Sequence, residues 1–240
     1  MKLSSIILFL VFMVGCARDS SDIVETSYGS IQGYEEEGVS YFLGIPFAEP
    51  PIGDLRWKAP QDLEKWDGIL EATSFGSACM QPTNIGNSLF LELMLDGFGL
   101  AWYEKAIINF LALLNFSNGT EYSEDCLFLN VIAPKDAKNL PVMFWIHGGA
   151  SRVGSGGEDI YKTTKFAEKE VILVTTNYRL GSLGWFAHPK LSEESENNVS
   201  GNYGSLDMIE ALKWVQKNIE AFGGDPNNVT IFGESAGGQA

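Results

Sequence analysis

Short apolar stretches alternate with polar, glycine-rich segments along most of the chain. Between residues 30 and 44, apolar and polar positions alternate and break at glycines, which predicts short antiparallel strands. Residues 171–176 (VILVTT) are continuously apolar or β-branched, which is typical of a strand buried on both faces. Further strands are predicted at residues 127–133, 142–146 and 229–232.

One long segment has helical periodicity. Apolar residues recur at helical spacing between residues 206 and 222, and the sequence GGDP at residues 223–226 ends the helix. Strands that alternate with helices indicate an α/β fold with a largely parallel sheet. Neither an internal repeat nor a low-complexity tract divides the sequence.

The first residues have the pattern of an export signal. Lys2 is followed by an apolar run that is shorter than the roughly 20 residues a bilayer span needs. The run ends at Gly15-Cys16, which resembles the lipobox of bacterial lipoproteins. We therefore predict a signal peptide at residues 1–15, a lipid on Cys16 and a tether at residues 16–22. The alternative is an ordinary signal peptide cut a residue or two later; either way the protein is exported, anchored in the cell envelope or secreted.

Composition excludes several classes of protein. The chain has 240 residues, of which 45% are hydrophobic, so it is long enough to bury a core and is not a disordered protein. Its 31 acidic and 16 basic residues give a net charge of −15. That charge argues against binding to nucleic acid and against attraction to anionic lipid. The sequence has no metal-ligand cluster, phosphate loop or dinucleotide fingerprint, so we expect neither a metal nor a cofactor.

The three cysteines are an odd number, which needs an explanation in an exported protein. Lipidation of Cys16 and a disulfide between Cys79 and Cys126 would leave no thiol over. Such a disulfide closes a loop of about 47 residues, worth roughly 4 kcal/mol in the chain-entropy model.

A candidate nucleophile lies near the last residue. The sequence GESAG at residues 233–237 has the form G-x-S-x-G and directly follows the predicted strand 229–232, as a nucleophile elbow requires. Its glycines relieve crowding in the sharp turn and leave the Ser235 hydroxyl exposed. The alternative interpretation is a serine at the start of a glycine-rich helix.

A second motif, HGGA at residues 147–150, directly follows the predicted strand 142–146. Acyl transfer places negative charge on a carbonyl oxygen, and backbone N–H groups stabilise that charge. Glycines allow the backbone to approach a substrate closely. The N–H of Ala236, which follows the candidate nucleophile, would supply a further donor. Without Ser235, these residues would be interpreted as an ordinary glycine turn.

Together with three further blocks, these motifs resemble the N-terminal part of a type-B carboxylesterase, the cholinesterase-like branch of the α/β-hydrolases. The resemblance runs from about residue 27 to the last residue. Its blocks are YFLGIPFAEPPIGDLRW at 41–57, EDCLFLNV at 124–131, WIHGGA at 145–150, NYRLGSLG at 177–184, and the run 201–237 that contains GNYGSLD and FGGDPNNVTIFGESAG.

The resemblance implies an α/β-hydrolase fold, with a mixed, mostly parallel sheet flanked by helices. It also implies a serine hydrolase that cleaves small carboxylic esters through an acyl-enzyme. Ser235 would be the nucleophile, and the N–H groups of Gly149, Ala150 and Ala236 would form the oxyanion hole. Many relatives have a third glycine where Ala150 stands, but alanine keeps the N–H. Glu234 matches a glutamate beside the acyl site of the family.

Two residue pairs also match the family. Cys79 and Cys126 match its first disulfide, and Arg56 and Glu124 match an ion pair that is buried in relatives. A buried pair tolerates the loss of either charge poorly, whereas the alternative, a surface pair, contributes little. Phe116 stands where cholinesterases have a tryptophan that binds quaternary ammonium, so choline esters are not predicted as substrates.

The acid and the histidine of an α/β-hydrolase follow the serine in the sequence, whereas only five residues follow Ser235 here. Of the two histidines, His147 is predicted to order the oxyanion loop and His188 to lie on the surface. We therefore expect this chain to be the N-terminal part of a longer enzyme and, taken alone, to be inactive or nearly so.

Several alternatives stay open at this point. Residues 88–116 are apolar with interspersed charges, and form either a helix packed on the core or a lid over an active site. A catalytically inactive cholinesterase-like protein used for binding or adhesion would share the fold. A lipase, a feruloyl-type esterase or a carbamate hydrolase would share every motif, so the natural ester and the oligomeric state stay open.

Overall fold

The computed structural model describes residues 19–82, 95–97, 99–115 and 121–240. Eight of its strands form one sheet in the order β1-β2-β3-β7-β9-β8-β10, with β4 paired to β2, and β5 and β6 form a separate parallel pair. The strands are β1 (Asp19–Glu25), β2 (Ser30–Glu36), β3 (Val39–Pro46), β4 (Ile69–Glu71), β5 (Ala78–Cys79), β6 (Tyr122–Ser123), β7 (Phe128–Pro134), β8 (Leu140–Ile146), β9 (Ile172–Thr176) and β10 (Gly224–Gly233).

Pairing divides the large sheet into two regions. The neighbours along β1-β2-β3-β7-β9 are antiparallel, which includes the antiparallel strands predicted between residues 30 and 44. The neighbours β9-β8 and β8-β10 are parallel, as connections through helices require. The mixed sheet of an α/β fold is therefore confirmed, and its parallel region contains the strands that precede both sequence motifs.

Helices and short 3₁₀ turns lie in the connections between the strands. The helices are α1 (Trp102–Asn115), α2 (Gly181–Trp185), α3 (Pro189–Glu194) and α4 (Tyr203–Asn218). The 3₁₀ turns are Gly53–Leu55, Asp159–Tyr161, Ala167–Lys169, Ile219–Phe222 and Ser235–Gly238. The helix predicted at 206–222 is thus α4 followed by a 3₁₀ turn, and Gly223 ends it at a φ of 81°.

The core lies on both faces of the sheet. Ile172 and Val174 of β9 belong to the larger apolar cluster, together with Trp214 of α4. Leu173, between them in sequence, belongs to a second cluster on the opposite face. All five residues of β9 are buried, which confirms the prediction of a strand covered on both sides. Helix α4 therefore packs against the parallel region of the sheet and supports it from one face.

The predicted disulfide between Cys79 and Cys126 is present and closes a separation of 47 residues. It joins β5 to the residue two positions before β7, next to the centre of the large sheet. Chain entropy makes such a closure worth about 4 kcal/mol. The disulfide therefore fixes both ends of the segment that contains α1.

Helix α1 is the larger described part of the segment at residues 88–116, of which residues 95–97 and 99–115 are described. Tyr103, Ile107 and Phe110, which the sequence places on one apolar face, are 53%, 55% and 60% exposed. These side chains therefore do not pack on the described core. The interpretation of this segment as a helix packed on the core is not supported for them. The rest of the segment, including Phe116, lies partly outside the described residues.

The predicted signal peptide and the lipidation site at Cys16 lie outside the described residues, as does most of the predicted tether. Within the part of the chain that the structure describes, none of the helices is long and apolar enough to cross a membrane.

Candidate active site

Strands β8 and β10 bring the two sequence motifs to one edge of the sheet. Ile146 and Gly233, the last residues of these parallel strands, are partners in the pairing register. Residues 147–150 therefore leave the sheet beside residues 234–237. The carboxyl edge of a parallel sheet is the usual place for a binding site in α/β folds, because loops from neighbouring strands diverge there.

The GESAG segment forms a sharp turn from β10 into the 3₁₀ turn Ser235–Gly238. Ser235 has a φ of 52°, in the left-handed region that costs a non-glycine residue about 1–2 kcal/mol. The Gly237 N–H donates to the Glu234 carbonyl at 2.8 Å and closes the turn. The Ser235 residue is exposed. Strain at an exposed serine after a strand is the geometry of a nucleophile elbow.

Gly237 is required by close backbone contact. A Cβ at Gly237 would overlap the carbonyl oxygen of Ile146 and lie 2.6 Å from that of His147. The elbow is therefore pressed directly onto the end of β8. This contact fixes Ser235 relative to the loop that begins at His147.

The two motifs also touch each other. A Cβ at Gly148 would lie 2.8 Å from the carbonyl oxygen of Glu234 and would overlap its carboxylate. Glu234 itself is exposed and immediately precedes Ser235. The loop after β8 and the elbow after β10 are therefore in direct contact.

The loop after His147-Gly148 makes a tight turn. The Gly149 carbonyl accepts hydrogen bonds from the N–H groups of Arg152 at 3.0 Å and Val153 at 3.1 Å. Ala150 and Ser151, at the centre of this turn, have φ values of 54° and 55°. Positive φ at both central residues is the feature of a type I′ turn. Alanine at position 150 thus occupies a conformation that favours glycine, at a cost in folding free energy.

Three backbone donors at this edge have no acceptor within the described part of the chain. They are the N–H groups of Gly149, Ala150 and Ala236, the residues that the sequence selects as oxyanion donors. Backbone N–H groups in folded proteins are nearly always paired with protein or with water, so these three donors at one edge of the sheet are open to solvent or to an external acceptor.

His147 orders the loop and does not act on Ser235. Its ring is buried and stacks on Tyr178 at 4.3 Å between ring centres, and its Nδ1 lies 2.8 Å from the Gly148 carbonyl oxygen. Because a carbonyl only accepts, Nδ1 must carry the proton. Burial lowers the pKa of His147 to about 4, so the ring is neutral at physiological pH.

Tyr178 contacts the same loop through both its ring and its hydroxyl. Its hydroxyl donates to the His147 carbonyl at 2.6 Å, and burial raises its pKa, so the proton that makes this bond is retained. Tyr178 thus supports both the ring and the backbone of His147.

His188 lies on the surface, as predicted. It is exposed, and its Nδ1 accepts a hydrogen bond at 3.2 Å from the Lys190 N–H, which caps the N-terminus of α3. The Ser235 hydroxyl has no hydrogen-bond partner within the described residues. Neither histidine of the chain is therefore in contact with the candidate nucleophile.

One buried ion pair was missed by the sequence analysis. Arg179 donates to the Asp207 carboxylate from its backbone N–H at 3.0 Å, from Nε at 2.8 Å and from Nη2 at 2.7 Å. The two side chains are 4% and 0% exposed. Arg179 follows Tyr178, so the pair anchors the segment that supports His147 to helix α4. Both residues lie in blocks that were recognised, but sequence spacing did not indicate that they meet.

The ion pair that was predicted to be buried is partly exposed. Arg56 donates from Nε and Nη2 to the two carboxylate oxygens of Glu124, at 2.6 and 2.7 Å. Their side chains are 41% and 26% exposed in this chain, so the expectation of burial is corrected. Water screens such a pair, and its removal costs less than removal of a buried one.

Comparison with known proteins identifies the family of the chain. The model of the carboxylesterase family matches residues 20–240. The chain belongs to the carboxylesterase family. This confirms the resemblance drawn from the motifs and the α/β-hydrolase fold that it implied.

Individual carboxylesterases are similar over most of this chain. The para-nitrobenzyl esterase of Bacillus subtilis is 46% identical over 220 residues, which are 91% of this chain and 39% of that protein. The fumonisin B1 esterase of Sphingopyxis macrogoltabida is 45% identical over 230 residues, 95% of this chain and 37% of its own length.

Solved carboxylesterase structures have the same architecture. A PNB esterase structure has a TM-score of 0.73 at 44% identity and covers 90% of this chain and 39% of its own. A carboxylesterase of Geobacillus stearothermophilus has a TM-score of 0.70 at 41% identity, with 90% and 38% covered. The chain thus spans less than two fifths of the length of these carboxylesterases.

Proposed function

We propose that this protein hydrolyses small carboxylic esters through an acyl-enzyme formed on Ser235. The observation that carries the proposal is the combination of an exposed, strained Ser235 with three N–H groups at the same edge of the sheet that have no acceptor in the described residues. This is the arrangement that acyl transfer requires, a nucleophile beside donors for a developing oxyanion.

In the proposed reaction, the Ser235 oxygen attacks the ester carbonyl carbon while its proton passes to a base. The carbonyl π electrons move to oxygen, and the N–H groups of Gly149, Ala150 and Ala236 stabilise that oxyanion. One such donor is worth about 3 kcal/mol of activation free energy. Collapse expels the alcohol, which takes up the proton. Water, deprotonated by the same base, then releases the acid and restores Ser235.

The base must come from residues other than the two histidines of this chain. His147 is buried, and its Nδ1 proton is engaged by the Gly148 carbonyl. His188 caps α3 at an exposed site. In α/β-hydrolases the acid and the histidine follow the serine in the sequence, and we propose the same order here. The activity is therefore proposed for the whole protein and not for these 240 residues alone.

The alternative of a catalytically inactive binding protein receives less support. A binding surface has no need of a serine held at positive φ, which costs free energy of folding. The carboxylesterases with which the chain compares carry names that refer to ester hydrolysis.

Export and lipid attachment are proposed from the N-terminal sequence. The apolar run and Cys16 support a lipid-anchored form in the cell envelope, and a secreted form is the alternative. Metabolic labelling with a radioactive fatty acid tests this proposal. Labelling that is lost in Cys16→Ala is expected, and an unlabelled, soluble wild-type protein would contradict it.

Turnover of p-nitrophenyl butyrate by the protein that the whole gene encodes tests the enzymatic proposal. We expect Ser235→Ala to reduce kcat by about a millionfold, as removal of a triad serine does. The matched control is Ser182→Ala, which changes an exposed serine of helix α2. Equal turnover by the two variants would overturn the proposal.

A further inference from the structure

Gln81 binds the backbone of the loop that contains the proposed oxyanion donors. Its Nε2 donates to the Gly154 carbonyl at 2.9 Å, and its Oε1 accepts from the Gly154 N–H at 2.8 Å. One carboxamide thus pairs with both polar backbone groups of one residue. Nε2 also donates to the Cys79 carbonyl at 3.1 Å. Gln81 therefore connects Gly154 to the disulfide-bonded segment.

Gly154 is packed against the start of the same loop. It has a φ of +106°, and a Cβ there would lie 2.5 Å from the His147 Nδ1 and 2.9 Å from the Gly148 carbonyl oxygen. Gly149 and Ala150 directly follow Gly148 in the sequence. The position of Gly154 therefore limits how far the residues with the donor N–H groups can move.

A second amide fixes the next residues of the loop. Asn177 accepts from the Gly156 N–H at 2.8 Å and from the Ser155 hydroxyl at 3.0 Å, and donates to the Cys126 carbonyl at 3.1 Å. Asn177 is buried, whereas Gln81 is only partly buried. Each half of the disulfide is thus connected to the loop through one side-chain amide.

We infer that Gln81 is a positioning residue that holds the oxyanion loop, residues 147–156, in its catalytic conformation against the Cys79–Cys126 disulfide. The inference rests on the proposed function. Gln81 does not touch the reacting atoms, so its effect passes through Gly154 to the donors at Gly149 and Ala150.

Replacement of Gln81 is expected to lower the rate of the chemical step. Displacement of catalytic groups by about an ångström costs up to about a hundredfold in rate. The oxyanion forms in the tetrahedral intermediate and in the transition states that flank it, and not in the bound ester. Loss of its alignment therefore lowers kcat and leaves KM nearly unchanged. A purely structural role would instead reduce the amount of folded enzyme and leave the kcat of each folded molecule unchanged.

The test compares Gln81→Met with Gln216→Met in the protein that the whole gene encodes. Gln216 is a matched control because its Nε2 also donates to a backbone carbonyl, that of Pro226 at 2.7 Å, on the exposed side of α4. With p-nitrophenyl butyrate and enzyme titrated for active sites, we expect kcat to fall about ten- to hundredfold in Gln81→Met only. Affinity for a trifluoromethyl ketone, which forms a tetrahedral adduct, should fall by the same factor.

Hydrogen exchange gives a readout that does not depend on activity. The Gly154 N–H is protected by Gln81 Oε1, so Gln81→Met should accelerate exchange in peptides that cover residues 147–156. Gln81→Glu keeps an acceptor for that N–H but loses both donor bonds. It should therefore keep the protection and lose part of kcat, and it replaces the methionine variant if that one fails to fold.

The outcomes separate the two proposals. Wild-type turnover with equal kcat in Gln81→Met and Gln216→Met would overturn the role of Gln81 and leave the esterase proposal intact. Unchanged exchange at residues 147–156 in Gln81→Met would also overturn it. A wild-type protein without turnover, but with the exchange difference, would overturn the esterase proposal while showing that Gln81 fixes the loop.

Discussion

Lowering the pH should destabilise the protein through His147, the residue that orders the oxyanion loop. The ring is buried against Tyr178, and its pKa lies at about 4, compared with 6.5 for an exposed histidine. Since the folded-state pKa is lower than the unfolded one, the unfolded state binds the proton first as pH falls. The stability associated with neutral His147 is complete above pH 6.5 and is lost progressively as pH falls from there through about 4.

The size of the effect follows from the two pKa values. The difference between the two pKa values corresponds to about 3 kcal/mol once both states are protonated. Between pH 7 and pH 5 the loss is about 2 kcal/mol. With a urea dependence of about 2 kcal/mol per molar, this shifts the unfolding midpoint by about 1 M.

Urea unfolding followed by tryptophan fluorescence at pH 7 and pH 5 measures this change. The pair to compare is wild type and His147→Phe, which keeps a ring against Tyr178 but cannot bind the proton. The phenylalanine variant should be less stable at pH 7, because it loses the bond to the Gly148 carbonyl. Its loss of stability between the two pH values should be about 2 kcal/mol smaller than that of wild type. His188→Asn serves as a control for removal of an exposed histidine.

An equal loss of stability between pH 7 and pH 5 in wild type and His147→Phe would refute the reasoning. It would mean that His147 is protonated in the folded state or reaches water, contrary to its burial.

Three further predictions concern the buried ion pair, the disulfide and the elbow glycine that support the candidate active site. Asp207→Asn should lower the free energy of unfolding in urea by about 3–5 kcal/mol, because it leaves the buried Arg179 charge without its partner. Joint replacement of Cys79 and Cys126 by serine should cost about 4 kcal/mol in the same assay under non-reducing conditions, through the entropy of the unfolded chain. Gly237→Ala should cost about 1–3 kcal/mol and reduce ester turnover, because the new methyl group overlaps the backbone at the end of β8.

Each of these predictions has an outcome that contradicts it. A loss under 1 kcal/mol in Asp207→Asn would mean that water reaches the pair. Equal stability of the cysteine variant and of wild type would show that the disulfide does not form. Wild-type turnover by Gly237→Ala would show that the elbow does not press on β8.

The nucleophile elbow was predictable from sequence because its constraints are local. GESAG directly after a strand determines both the turn and the exposure of Ser235, whose φ of 52° agrees with that prediction. The strand at 171–176 was predictable for a similar reason, since a continuous apolar run needs cover on both faces. The contact between Gly148 and Glu234 was not predicted, because it depends on the pairing of β8 with β10 that only the structure shows.

Contacts between residues far apart in the sequence were harder to predict. Arg179 and Asp207 are 28 positions apart, and only packing of α4 on the sheet brings them together. The pair Arg56–Glu124 was selected on resemblance, and its exposure depends on what covers it, which sequence spacing does not encode. The contacts of Gln81 with Gly154 likewise depend on the path of the chain just after β5 and after β8.

Identification of the residue that reacts with a fluorophosphonate probe tests the central claim most directly. The probe phosphonylates an activated serine, and mass spectrometry of the digested protein that the whole gene encodes locates the adduct. We predict an adduct on Ser235 that is absent from Ser235→Ala and present in Ser182→Ala. A folded protein in which Ser235 stays unmodified, or in which another serine carries the adduct, would contradict the assignment of Ser235 as the nucleophile.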